Sequence, residues 1–362
     1  MRFAFLIAYA ALVGAISWRV SRTLRGVGDF LVGEAGLGVW QGVGLLGGIF
    51  VAATAVGVVG EGYTFGWPGA TLDVALGLGF VVLLLWLLPR LRAEGHASVG
   101  ALIRHHYGEA AGFVAAVTAG GAWLILLAAF LASAATALVG LMGWSETAAG
   151  LVTLAALLVY ALPGGMRAVA ASNLVQLAAL GAVLIWTAVA TLGPTPTGPA
   201  TDVSVPIGYL LAVTLLSAPT TVVAPDVMLG VMSLADSRSA RRTLGYVIAS
   251  LVVGGLGLAL LGARAARLVS VANSEQALPA LIETVLPHVG ASGGLVVLFG
   301  ASLAGAVSEL VVCTFIFREE LARRTGASES LARARAIMGA AALLAGALAV
   351  LRPQVVEMVA IG

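Results

Sequence analysis

Ten mostly apolar stretches along this chain are candidates for membrane-spanning helices. The stretches run over 3–18, 38–63, 67–89, 111–141, 146–163, 170–192, 206–232, 244–268, 292–317 and 331–351. A helix needs about 20 such residues to cross a bilayer. Only helices and closed barrels satisfy every backbone polar group in hydrocarbon. Hydrophobic residues make up 60% and charged residues 10% of the 362, against about 25% charged in soluble domains. That leaves too little polar surface for a cytosolic or secreted globule, and the mean hydropathy of +1.06 agrees. A nucleic-acid binder is excluded too, despite the net charge of +2. The expected class is an all-α integral membrane protein, one transmembrane domain over 1–362.

The first stretch follows Arg2 as a signal peptide would, but it lacks a small-residue cleavage site and meets Arg19, Arg22 and Arg25 as a stop-transfer flank. It reads as a retained helix. With the N-terminus outside, the inner loops hold Arg19, Arg22, Arg25, Arg90, Arg92, Arg104, Arg167, Arg238, Arg241, Arg242, Arg318, Arg323, Arg324, Arg333 and Arg335. The outer side keeps Arg2, Arg264, Arg267 and Arg352, so the bias is 15 to 4. Arginine excess on cytoplasmic loops orients membrane proteins, and both termini are therefore placed outside. Arginine without lysine, in a chain rich in Ala, Gly, Leu and Val, suggests a prokaryote, hence a multi-pass protein of its cell membrane. Lone Cys313 allows no internal disulfide. The four His form no metal cluster. Residues 193–205 read as an external Pro/Thr/Gly loop, and 274–287 as a short amphipathic helix over the outer face.

Two stretches carry helix breakers near their middle. The second has Gly47 and Gly48 followed by Ala52, Ala53, Thr54 and Gly57; the seventh has Pro219 and Pro225 around Thr220 and Thr221. A proline removes a helix hydrogen bond and frees an upstream carbonyl. Small residues can also simply let helices pack closely. Interrupted helices at corresponding places in two halves point instead to a transporter's central site. The second and seventh stretches are five apart, as a five-helix inverted repeat requires. Interruption is expected near 48–54 and 217–222.

The segment Tyr160-Ala161-Leu162-Pro163-Gly164-Gly165-Met166-Arg167-Ala168-Val169, followed by Asn173 and Gln176, resembles the signature of the sodium:solute symporter family. Other segments match the family in order: Asp29 to Gly33, Leu37-Gly38, Ala53 to Gly66, Ser98 to Gly108, Pro225-Asp226 and Leu303 to Ser308. The resemblance implies a LeuT-like 5+5 inverted repeat. Helix 3–18 would be an extra N-terminal helix, 38–192 the first repeat and 206–351 an incomplete second one. On this reading the second repeat would lack its fifth helix, and the expectations are a shortened relative, a partner that supplies the helix, or a sequence that is a fragment. The chain departs from the family in having Leu229-Gly230 where Gln-Arg is common, and Asn173 where an acidic residue is usual.

The resemblance also implies a sodium ion between the first and eighth core helices. Its ligands would be backbone carbonyls near Gly48 and Val51, with Ser308, Glu309 and the Gly305 carbonyl opposite. A register shifted onto Ala304 and Gly305 would leave no side-chain oxygen. Hard cations take oxygen ligands, and Ser308-Glu309 supplies them. The substrate site would be lined by Ala52, Ala53, Thr54, Ser217, Thr220, Thr221 and Trp123. With no Arg and no reserved carboxylate in that lining, a small neutral or zwitterionic organic solute is expected.

Glu309 should lie near mid-membrane, where an ionisable group is a functional candidate by default. Asp73 is expected near water at the outer end of its span, and Asp226 as a helix terminator. The function these features imply is sodium-coupled secondary transport by alternating access. One alternative is proton coupling through Glu309. Another is a membrane solute sensor or accessory subunit. No nucleophile cluster at membrane depth suggests an enzyme.

Overall fold

A computed structural model describes residues 1–24, 26–33, 36–48, 53–192, 205–326 and 330–350. They form α1 (Arg2–Ser21), α2 (Val27–Val32), α3 (Val39–Gly47), α4 (Ala53–Phe65) and α5 (Thr71–Val82). A π turn over Leu83–Leu87 carries α5 into α6 (Leu88–Glu94). There follow α7 (Val99–Tyr107), α8 (Glu109–Met142), α9 (Glu146–Ala190), α10 (Ile207–Val223), α11 (Pro225–Met232) and α12 (Ser237–Leu268). The chain continues through α13 (Ala277–Val285), α14 (His288–Thr325) and α15 (Leu331–Val350). No strand occurs among the described residues, only an isolated bridge between Leu37 and Leu234.

Six of these helices (α1, α8, α9, α12, α14 and α15) and the continuous run Trp67–Glu94 through α5 and α6 are long and apolar enough to span a membrane, and the bent pair α10–α11 makes an eighth. The ten expected spans map onto them once two more features are counted. α9 is two arms joined at Gly165, and the second expected span is the pair α3 and α4 on either side of 49–52. The signature segment makes the α9 bend. Gly165 has φ +53 and ψ −150, a conformation open to glycine at little cost. A Cβ there would also run into Phe30. The carbonyls freed at the bend are capped from α15: Arg335 donates through Nε to Leu162 O (2.9 Å) and through Nη2 to Pro163 O (3.2 Å). Non-helical backbone at membrane depth needs such partners.

α14 is the central post. In its most apolar stretch 89% of residues are buried, against 39% or less in the other six long helices. It lies along α8 and α9, while α12 lies along α4 and α5. Glycines let these backbones meet: Gly62 and Gly262 bring α4 and α12 into direct contact, and Gly44 sets α3 against Ala170 of α9. With no water to drive apolar faces together, close van der Waals approach through small residues is what holds such helices. α13 covers one end through buried Leu278, Leu281 and Ile282, as the amphipathic pattern of 274–287 predicts. Asp73 differs from its expectation. It is buried against Gly255 of α12 and takes a hydrogen bond from Thr54, because α4 and α12 close over the start of α5.

Candidate functional site

A chain of buried polar groups crosses the centre of the bundle. Tyr9 OH of α1 donates to Gln176 Oε1 (2.9 Å), and Gln176 Nε2 donates to Tyr160 OH (3.2 Å). Tyr160 OH donates to Asn173 Oδ1 (2.9 Å) and lies against Ser172 Oγ. Asn173 Nδ2 donates to Ser308 Oγ (3.0 Å), whose proton goes to Ala304 O (3.0 Å). Tyr160 and Asn173 stand on opposite arms of α9, so the bend at Gly165 is what lets them meet. Gly48, just past the end of α3, completes the group. A Cβ there would lie 2.5 Å from Asn173 Nδ2 and 2.8 Å from Asn173 Cβ. Gly48, Asn173 and Ser308 thus converge from three helices.

Glu309 faces elsewhere. Its side chain is fully buried on α14, close enough to Asp226 of α11 for the two charges to act on each other. The Trp123 indole N–H of α8 points toward the Glu309 carboxyl without closing a well-formed hydrogen bond, and both carboxyl oxygens lack a partner among the described residues. Successive helix residues are about 100° apart, so Ser308 turns to α9 while Glu309 turns to α8 and α11. The structure therefore does not bring Ser308 and Glu309 to one point. Gly305 lies one turn before Glu309 and meets the Phe130 ring of α8, 3.2 Å from its ideal Cβ.

The seventh stretch breaks later than expected. α10 stays helical through Pro219 to Val223, and the bend of 42° comes at Ala224, whose ψ of 127° starts α11. Proline is accommodated in the first turn of a helix because its missing N–H is not needed there, and Pro225 takes that position in α11. Asp226 therefore begins a helix rather than ending one. It is buried and accepts the Val227 N–H. The α10 hydroxyls turn back on their own helix: Thr220 to Leu216 O (2.6 Å) and Thr221 to Ser217 O (2.9 Å). Thr220 is exposed, Ser217 half-buried, and Thr221 packs on Gly79 of α5. Val51, Ala52 and the side chain of Ala53 lie outside the described residues, as does the 49–52 part of the interruption expected near 48–54.

The inner end, by the arginine assignment, is laced by ion pairs. Arg104 meets Glu109 (3.1 Å) and Glu320 (2.7 Å), Arg323 meets Glu109 (2.7 Å), and Arg324 meets Glu320 (2.9 Å). Arg92 donates to Val231 O and Leu234 O, both at 3.0 Å, tying α6 to the end of α11. Arg167 of the signature segment pairs with buried Asp29. Sequence reasoning did not find Tyr9, Tyr160 or Gln176 as parts of the centre. A tyrosine or glutamine within an apolar span is the available signal, but it does not say which neighbour it meets.

No family model matches this sequence, and no curated protein matches it by sequence. Its fold does match solved structures. A Na+-coupled sialic acid symporter, solved substrate-bound and outward-open with a novel Na+ site, superimposes with a TM-score of 0.84 at 15% identity. The match covers 99% of this chain and 81% of that one. Mhp1, a nucleobase-cation-symport-1 family transporter solved in a closed conformation with bromovinylhydantoin bound, gives a TM-score of 0.50 at 12% identity over 94% of this chain and 71% of its own. The chain therefore has an all-α, LeuT-type fold.

Proposed function

We propose that the protein is a multi-pass secondary transporter of the cell membrane that couples a small organic solute to inward sodium flow. One observation supports the reading: Gly48 and Ser308, both expected sodium ligands, lie against the same residue, Asn173 of α9. The chemistry of these groups fits a hard cation in part. Ser308 Oγ spends its proton on Ala304 O and one lone pair on Asn173, which leaves a second lone pair. Sodium would be held by Ser308 Oγ and by backbone carbonyls from Gly48 onward. Once bound, it would supply a positive charge that draws α3 and α14 together. Glu309 faces α8 and α11, so it is not needed in this set. The solute would lie between α4, α8 and the α10–α11 break, with Trp123 and Thr54 on its borders.

The protein's own residues supply the moving joint. Ala224 carries the only non-helical backbone between α10 and α11, and α10 leans chiefly on α5. α10 and α5 can then rock as a pair while α14 stays buried.

Flux into proteoliposomes of the purified chain tests this, using a panel of labelled small solutes. The expected result is accumulation of at least one solute with an inward sodium gradient and not with potassium. Accumulation driven by a pH gradient alone would move the coupling to protons. Binding without accumulation would make the protein a sensor.

A further inference from the structure

Glu309 and Asp226 form a second polar centre, distinct from the Ser308 cluster. The two carboxyls come from different helices, α14 and α11, and both are buried. Neither Glu309 oxygen has a hydrogen-bond partner among the described residues, nor does Asp226 Oδ1. Among the ion pairs of the described residues, none joins a basic side chain to either carboxyl. α8 carries one ionisable residue, Glu109, held by Arg104 and Arg323. α3 carries none, and Asp29 of α2 is held by Arg167 of α9. Arg335 of α15 is spent on the α9 bend and Arg2 of α1 on Glu283 of α13. Two neighbouring buried carboxyls with unpartnered oxygens are expensive, which is why such residues at membrane depth read as functional.

The walls decide what kind of cation suits them. Trp123 and Phe130 are seven residues apart on α8 and so share one face, the face that meets Glu309 and Gly305 on α14. An inorganic cation prefers a shell of oxygens. Aromatic rings instead attract a cation that carries carbon, through cation–π contact. The centre also adjoins Ala224 and Pro225, where α10 gives way to α11.

We infer that Asp226, Glu309 and Trp123 form the recognition site for a positively charged nitrogen on the transported solute, so that the cargo is an amine, a quaternary ammonium or a zwitterion bearing one. This deepens the proposed function. It revises the expectation of an uncharged lining, because Glu309 faces the α10–α11 break and not Ser308. The carboxyls anchor the charged nitrogen, and Trp123 and Phe130 cover its carbon substituents.

The test is binding to the detergent-purified full chain, which needs no gradient and so stands apart from the transport assay. Two matched pairs serve as probes: choline with its uncharged carbon isostere 3,3-dimethylbutan-1-ol, and L-alanine with L-lactate. Thermal shift is read in potassium phosphate, since Tris is itself an amine. The charged-nitrogen member of at least one pair should half-saturate at a concentration roughly tenfold or more below its partner, the equivalent of one lost charge contact. Glu309→Gln and Asp226→Asn should each erase that preference while eluting as monodisperse protein, and Trp123→Phe should retain part of it. If Glu309→Gln does not stay monodisperse, Asp226→Asn decides alone. No preference for the charged member up to 100 mM, an unchanged preference in the carboxyl variants, or full displacement by NaCl would each overturn the assignment.

Discussion

Gly48 is the position where adding one carbon should do the most measurable harm. An ideal Cβ there lies 2.5, 2.8 and 2.9 Å from Nδ2, Cβ and Cγ of Asn173. Because Asn173 Cβ is fixed by α9, the clash cannot be relieved by rotating an amide at the end of a flexible chain. Gly48→Ala must push α3 from α9 or drive Asn173 off its bonds to Ser308 and Tyr160. Overpacking of this kind costs about 1–3 kcal/mol, and each hydrogen bond lost adds about 1 kcal/mol. The sum is roughly 2–5 kcal/mol. At about 2–4 °C per kcal/mol, the melting temperature of purified protein should fall by roughly 5–15 °C. Gly57→Ala is the control, since nothing lies within 4 Å of its Cβ; helix propensity makes it neutral or slightly stabilising. Fluorescence-detected thermal unfolding would measure both. The pair Gly48→Ala with Asn173→Ala should cost less than the two single effects added, because the second change removes Nδ2 and Cγ, two of the three atoms the first one strikes, and the hydrogen bonds it disturbs; the Asn173 Cβ contact remains, so the relief is partial. A wild-type melting temperature in Gly48→Ala, or strict additivity in the double variant, would refute the packing argument. Gly48→Leu goes further and should abolish transport while the protein still inserts.

Gly165→Ala should destabilise the chain by about 2 kcal/mol or more, from its positive φ and the contact with Phe30, whereas Gly181→Ala, with open space, should not; parallel thermal melts decide. Removing Arg167 takes a cation away from buried Asp29, so Arg167→Gln should destabilise the chain, by up to about 3–5 kcal/mol, and the double change with Asp29→Asn should recover part of it. Asp236 caps α12 by accepting the Ser239 N–H, and that bond, with the Arg92 charge adding a little, holds its carboxyl below the usual range. A depressed folded value means the cap helps above the unfolded value of about 4 and is lost as pH falls through the folded one. Protection of the Ser239 and Ala240 amides, taken relative to their intrinsic exchange rates, should therefore fall in acid, and Asp236→Asn should remove that change in protection. Cysteines introduced near residues 22, 99, 238 and 325 should label only from the cytoplasmic side, and external labelling at any two would sink the orientation.

Helix existence and membrane class were legible in the sequence because they depend on local quantities. A run such as 292–317 is apolar whatever it touches, and a run of that length must satisfy its backbone by becoming a helix. The arginine bias of the loops is equally local. So is the bend in the signature segment, since Pro163 and two glycines announce it. What only the tertiary structure decided is which way each side chain turns. Ser308 and Glu309 are neighbours in the chain and look like one ligand pair on paper. A helix sends adjacent residues about 100° apart, so α9 claims Ser308 while α8 and α11 claim Glu309. Pro219 likewise reads as the breaker of its span. Yet α10 runs straight through it, because packing on α5 holds the helix and the bend falls at Ala224. Tyr9 joins the centre only because α1 lies along α9 and α14. Rotation about a helix axis is set by neighbours far away in sequence, and no local pattern encodes it.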